Sequence, residues 1–338
     1  MVISGVKHKL PFSVLLFLLA AVTFLASWLR LFPRTWVESA YARGLFPGIS
    51  YGLGFFADLI PFSWLDLVIA GCIAILIYGV SRRRWRLLLG TVSFLYLWFF
   101  WTWGLNYHRP PVSDRLDLDT SGLQPGDYER FSQTAIQEIN RLWPLASRAP
   151  LEREAIAVMA MDRVERVVLK VDGKHWRTTH RVKTSLLLDP WYAGAGIDGM
   201  FNPFGHEPLV VKGPFPFELP FLMSHEIAHV RGIANEGEAN LIALLATVAS
   251  DDPRFQYSGW LELWGYLGIP ESLDPGPQAD LRAARDRIRS RRIAMISYMQ
   301  VAMLDAHLKA NAVPGGIRSY SDIVALAIAS QPRWSEFK

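Results

Sequence analysis

The chain has 338 residues, enough for one large domain or two ordinary ones; 51% are hydrophobic and 13% aromatic. Its single cysteine, Cys72, excludes an intrachain disulfide. The formal charge of +4 owes much to one cluster, Arg82, Arg83, Arg84 and Arg86, and gives no reason to expect a nucleic-acid partner.

The apolar content is concentrated in the first third. Three stretches, about 10–29, 62–80 and 87–107, have the length and composition of transmembrane helices. Asp66 stands near the outer end of the second. Trp and Tyr gather toward the end of the third, as side chains with apolar bodies and polar tips do at a bilayer interface. The first stretch also has the place of a cleavable signal peptide, but it is long and lacks a convincing cleavage site. The arginine cluster between the second and third stretches is expected on the cytoplasmic side. Lys7 and Lys9 would then also be inside, and everything after Tyr107 outside. The organisation read from this is a membrane domain over 1–107, a linker over 108–124 opening with "HRPPVSD", and an extracytoplasmic domain over 125–338. A bacterial inner membrane, crossed several times, is the expected location, with the lipid bilayer as a partner.

Beyond the linker the periodicity is helical. Phe131, Ala135, Ile139 and Leu142 share one stripe, and "LEREAIAVMAMDRVERVVLKV" carries a second. Two strand-like runs follow, "TSLLLD" (184–189) and "HEPLVV" (206–211), with turn signals at Asp198-Gly199, Asn202-Pro203 and Gly205. After the central motif the pattern returns to helix. It includes "YSGWLELWGYLG" and one long run from Asp280 with six arginines between Arg282 and Arg292, whose two readings are contact with anionic lipid headgroups and, preferred, a solvated face. His175 and His180 lack a helical ligand spacing and are expected on the surface. The fold class is therefore mainly α with a small β-sheet.

The motif is "PFLMSHEIAHVRGIANEGEANLIALLA", Pro220 to Ala246. Pro220 suits a first helical turn and Gly232 the position just past a helix end. His225 and His229, four apart, lie on one face one turn above the other, where two imidazoles can bind one zinc ion. Glu226 points about 100° away from His225, placed to act as general base on a zinc-activated water. Gly232 lets the chain turn back into a second helix capped by Asn235. There Glu238 completes a capping box, while Glu236 and Asn240 share the face turned to the histidines. Glu236 is assigned as third zinc ligand, with Glu238 the alternative, and Asn240 as a group orienting a ligand histidine. Tyr192, His206 and Tyr257 are the candidates for stabilising an oxyanion. The run 206–211 is a core strand or an edge for a peptide substrate.

"HEIAH" followed by E-x-x-A-N, from Glu236 to Asn240, resembles the zinc metallopeptidases of the gluzincin type, whose third ligand is the glutamate of such a sequence on a second helix. The resemblance implies a zincin-like domain with His225, His229 and Glu236 as ligands. It departs from that pattern in placing the acidic ligand only seven residues after His229. The H-x-x-G turn is similar to that of metzincins, but Asn235 stands where their third histidine would be. The whole chain, with "WGLNYHRPP", "FNPFGHEP" and the motif, is similar to a bacterial membrane-protein family catalogued as domain of unknown function 3810, which implies no substrate.

The expected function is a membrane-anchored zinc metallopeptidase acting on peptides or proteins. The rival is a non-catalytic, zinc-stabilised binding or assembly module, and an amide of the cell wall is a further substrate class using the same residues. Lys212, Glu218 and Arg231 bracket the motif, so it is not itself a membrane span.

Overall fold

The computed structural model describes residues 10–174, 176, 181–267, 272–311 and 323–338. His175 and His180 lie outside the described residues. The protein is mainly helical with one two-stranded sheet. Helices α1 (Phe12–Trp28), α2 (Phe46–Ala57, preceded by wide π-helical turns at Val37–Leu45), α3 (Trp64–Ser81) and α4 (Trp85–Thr102) form the N-terminal part. Helix α3 has 18 residues and is long and apolar enough to cross a membrane. Helix α1 is equally apolar in character but one residue shorter. Helix α4 matches α3 in length but, with four aromatic Trp and Tyr side chains and Arg86, is less apolar. Of the three expected spans, one thus meets both criteria.

The aromatic end of α4 is not a simple interface belt. Trp98 donates to the carbonyl of Phe204 (3.3 Å) and Trp103 to that of His229 (3.1 Å), so their polar tips grip the C-terminal part. Residues 108–124, expected to be a linker, contain a short helical turn at Val112–Arg115, and Arg109 and Val112 are buried. Arg109 reaches Glu38 and Asp172 (2.8 and 2.9 Å), which draws this stretch inward.

Helices α5 (Pro125–Ala146) and α6 (Arg153–Asp172) follow the expected stripes. "TSLLLD" is not a strand. The Ser185 hydroxyl and the amides of Leu186 and Leu187 all donate to the Asp66 carboxylate at the start of α3, which bends the run into a turn before α7 (Asp189–Ala195). Strand β1 (Gly199–Asn202) takes in Gly199 and Asn202 from two of the three expected turn signals and pairs antiparallel with β2 (Glu207–Val210), Gly199 opposite Val210.

Helices α8 (Leu219–Val230) and α9 (Glu236–Val248) form a hairpin at the centre. Val164, Val168, Met223, Ile227, Leu241 and Leu245 pack α6, α8 and α9 into one core. The other flank of α9, with Leu244, meets Phe131, Ile139 and Leu263 from α5 and α10 (Pro253–Leu267). Each fully buried Leu or Ile contributes about 1.5–3 kcal/mol, so the hairpin is held from both sides. The long run expected after Asp280 is two helices, α11 (Pro275–Arg291) and α12 (Ala294–Ala310). Arg292 is extended between them, and the Ile293 amide donates to the Gly194 carbonyl of α7 (2.7 Å), which ends the first helix. Helix α13 (Ile323–Ser330) closes the chain's core.

Candidate metal centre

Helix α8 starts with Pro220 in its first turn and ends at Val230, with Gly232 beyond it at φ +79°. A side chain at position 232 would be strained there and would stand 2.9 Å from the Phe46 ring. The chain therefore reverses in five residues, and Asn235 caps α9 by accepting from the Glu238 amide (3.2 Å). This reversal brings Glu236 over the two histidines.

Nε2 of His225 and Nε2 of His229 are 3.1 Å apart. Glu236 Oε2 lies 3.1 Å from the first and 3.3 Å from the second. Atoms bound about 2.0–2.1 Å from one tetrahedral zinc are separated by roughly 3.3 Å, so this triangle has the size of a zinc site. These three residues form a cluster of potential metal ligands among the described residues.

The electrostatics favour a cation at this point. Burial acts to raise the Glu236 carboxyl, but the imidazoles of His229 and His225 outweigh it and hold the group well below the ordinary carboxylate range. Burial acts to lower His229, but the Glu236 carboxylate pushes it up to about 9. His229 Nδ1 is 2.7 Å from the Ile233 carbonyl, which accepts its proton and leaves Nε2 as the ligand atom. Trp103 closes the back of this histidine with its ring.

Glu226 is buried, and its Oε2 has no hydrogen-bond partner among the described residues. Burial pushes its carboxyl up to about 7, with the Glu236 charge acting in the same direction and both histidines against it. Strand β1 crosses directly over this group. A methyl on Gly199 would stand 2.4 Å from Glu226 Oε1, so a side chain there would have to displace the Glu226 carboxylate. The pair Asp198-Gly199 reads as a turn in the sequence. A glycine at close backbone approach was the available signal, and it was legible only once the strand was placed.

The remaining candidates separate by position. Tyr192 is buried, its hydroxyl has no hydrogen-bond partner among the described residues, and burial and the Glu226 charge push its pKa up. It is the one of the three oxyanion candidates brought to the site. His206 is buried against the rings of Phe46 and Phe201, under the sheet. Tyr257 donates to Asp280 (2.8 Å) within the second core cluster. Glu238 accepts from the Val112 amide (3.0 Å) and faces Arg115, away from the histidines; its carboxylate is used there rather than in a reciprocal capping box. Asn240 is buried on α9, and the Ile233 carbonyl accepts from His229 Nδ1.

The sheet is tied to the N-terminal helices by a second buried carboxylate. Glu207 accepts from Lys183 (2.9 Å), Asn202 (2.7 Å), Ser63 (3.0 Å) and the Trp64 amide at the head of α3.

No curated protein and no solved structure matches the chain. The match is to a family, by sequence, over residues 41–328, which takes in α2 to α4, the sheet and the whole motif. The chain belongs to the family described as protein of unknown function (DUF3810).

Proposed function

We propose that the chain is a membrane-anchored, gluzincin-like zinc metallopeptidase. The observation that carries the reading is the convergence of His225, His229 and Glu236 at zinc-ligand spacing beside an unpaired, buried Glu226. Three protein ligands leave one position open, the pattern of a catalytic rather than a structural zinc, and a binding module would have no use for the Glu226 carboxylate.

A zinc ion held by these residues would polarise a substrate carbonyl and make water acidic enough to attack it near neutral pH. Glu226, buried beside the three ligands with its Oε2 unbonded among the described residues, is placed to take a proton from water and pass it to a leaving amine. Tyr192 offers a buried hydroxyl, unbonded among the described residues and close enough to Glu226 to feel its charge, as the donor to the developing oxyanion. Trp103 and Phe201 keep bulk water from the back of His229.

The anchoring part of the reading adds α1 and α4 to α3 as spans. The three pack side by side with α4 in the middle. They expose large apolar side chains, Phe17, Val22, Leu76, Ile77 and Val92 among them, such as lipid tails would cover. With Arg82 to Arg86 on the cytoplasmic side, the metal centre lies outside a bacterial inner membrane.

The test is the zinc content of the purified full chain. The wild type is expected to hold about one zinc, His225→Ala and Glu236→Ala to lose it, and Glu226→Gln to keep it while turnover falls by about 10²–10⁴-fold. A well-folded wild type that stays zinc-free after zinc is resupplied would overturn the reading.

A further inference from the structure

Outside the metal centre, the α11–α12 arm presents a surface that the metallopeptidase reading leaves unused. Ile293, Met295, Tyr298 and Met303 are 52%, 71%, 77% and 62% exposed, an apolar band three turns long. Beside it is a cavity of about 650 Å³ lined by Arg285, Arg289 and Arg292 together with Ile288, Tyr298 and Val301. Among the six arginines expected to form one solvated face, Arg287 differs from Arg285, Arg289 and Arg292. Arg287 is buried and spent on Asp198 (2.6 Å) and Glu218 (2.8 Å). Arg285 and Arg289 form no ion pair among the described residues, and Arg292 bonds only the Ser297 hydroxyl (2.9 Å). Their charge is available to an anion.

The arm is also tied to the head of α3 through a few contacts. Asp66, in the first turn of that helix, binds the amides of Leu186 and Leu187, whose side chains are 61% and 53% exposed. Two residues on, α7 begins, and it holds α12 directly. Ile293 donates to the Gly194 carbonyl, Trp191 donates to Gln300 (3.3 Å), and Ile293 and Ile296 pack on Gly194. A short, unbroken run of contacts thus leads from the head of a span to a band of Met, Ile and Tyr flanked by unpaired arginines.

We propose that α11 and α12 rest in the outer face of the same bilayer, with Arg285, Arg289 and Arg292 on the phosphates of anionic phospholipids and Ile293 to Met303 among the upper acyl chains. Helix α12 supplies exposed apolar side chains for the acyl chains, and α11 and the junction after it supply the arginines for the headgroups. Arg287 couples this arm to the site, because Asp198 leads into β1 over Glu226 and Glu218 precedes the motif helix. The inference rests on the anchored reading given above.

It is tested on the full chain in vesicles of phosphatidylcholine with and without phosphatidylglycerol. In a Cys72→Ser background, a fluorophore is placed by cysteine substitution at Tyr298, Met303, Leu76 or the solvent-facing Glu129. Lipids carrying a shallow quencher are expected to quench the probes at Tyr298 and Met303, and deep-quencher lipids the probe at Leu76. Removing phosphatidylglycerol, or combining Arg285→Glu with Arg289→Glu, should lower the docked-to-undocked ratio at Tyr298 by about tenfold or more. A quenched Leu76 with Tyr298 and Met303 as open to aqueous quencher as Glu129 overturns the inference and leaves the anchoring intact. An unquenched Leu76 overturns both. Quenching indifferent to lipid charge and to the arginine reversals overturns the headgroup contact. Protection that follows protein density rather than lipid quencher assigns the face to a second copy and overturns the proposal.

Discussion

Helices α3 and α9 are alike in sequence and opposite in surroundings. Both are rich in Leu, Ile, Val and Ala, and both begin with acidic residues in the first turn, Asp66 in one and Glu236 and Glu238 in the other. In α9 every residue except those two glutamates is buried by α5, α6, α8 and α10. In α3 only Leu65, Asp66 and Gly79 are buried. Hydropathy states that a helix must leave water, but it does not state whether protein or lipid receives it. What distinguishes the two is the neighbouring sequence. Helix α9 is flanked by amphipathic partners whose stripes match it, whereas α3 is followed by an arginine cluster and a second apolar helix.

The largest effect comes from placing a carboxylate in each. Leu245→Asp puts an unpaired charge into a core closed on all sides and should cost about 4 kcal/mol or more, enough to unfold the protein in detergent. Leu76→Asp should leave the detergent-solubilised melting temperature almost unchanged and instead reduce membrane insertion, at a cost of about 3 kcal/mol for a charge at the bilayer centre. Thermal melts and membrane fractionation of both variants decide the matter. If Leu76→Asp melts as early as Leu245→Asp, α3 is covered by protein and the contrast collapses.

The two regions meet at Glu38, which lies between α1 and α2 and binds Arg43 and Arg109, the latter also donating to the Gly232 carbonyl after the motif helix. Burial acts to raise the Glu38 carboxyl, but the hydrogen bonds and charges of Arg109, Arg115 and Arg43 outweigh it and lower it to about 2. A carboxyl depressed on folding contributes stability that is fully present above its unfolded value of 4.5 and is lost as pH falls toward 2. The contribution is on the order of 2–3 kcal/mol. Melting temperature should therefore drop between about pH 5 and pH 2, and Glu38→Gln should lower the neutral-pH plateau and flatten that drop. Equal slopes in both proteins would show that the junction does not depend on this ion pair.

The motif was legible because its signals are local. Helix spacing, a proline at one end, a glycine at the other and an asparagine cap fix the positions of His225, His229 and Glu236 within 12 residues. Choosing Glu236 over Glu238 as the residue facing the histidines needed only the register of α9. The signals that failed were those that depend on distant partners. "TSLLLD" has the composition of a strand, and nothing nearby shows that its amides are taken by Asp66, which is 120 residues away from Leu186. The run from Asp280 reads as one helix because the Gly194 carbonyl that breaks it belongs to α7. Residues 108–124 read as a linker from their prolines, while the carboxylates that bury Arg109 come from Glu38 and Asp172.

The smallest effect concerns the cap that lets the buried helix present a polar residue at all. Asn235 accepts from the Glu238 amide and holds the first turn of α9, the turn that carries Glu236 to within 3.3 Å of both histidines. Asn235→Ala should cost about 1 kcal/mol of stability, a small shift in melting temperature. The rest of α9 is clamped by its core, so the loss is confined to fraying of that turn. On the zinc reading proposed above, zinc affinity should fall more than global stability does, because one of the three proposed ligands becomes mobile while the two on α8 stay in place. Asn235→Ser, an equivalent cap, should restore both. A uniform loss, in which zinc affinity and melting temperature fall together and serine rescues neither, would mean that the cap supports the core of α9 rather than the placement of Glu236.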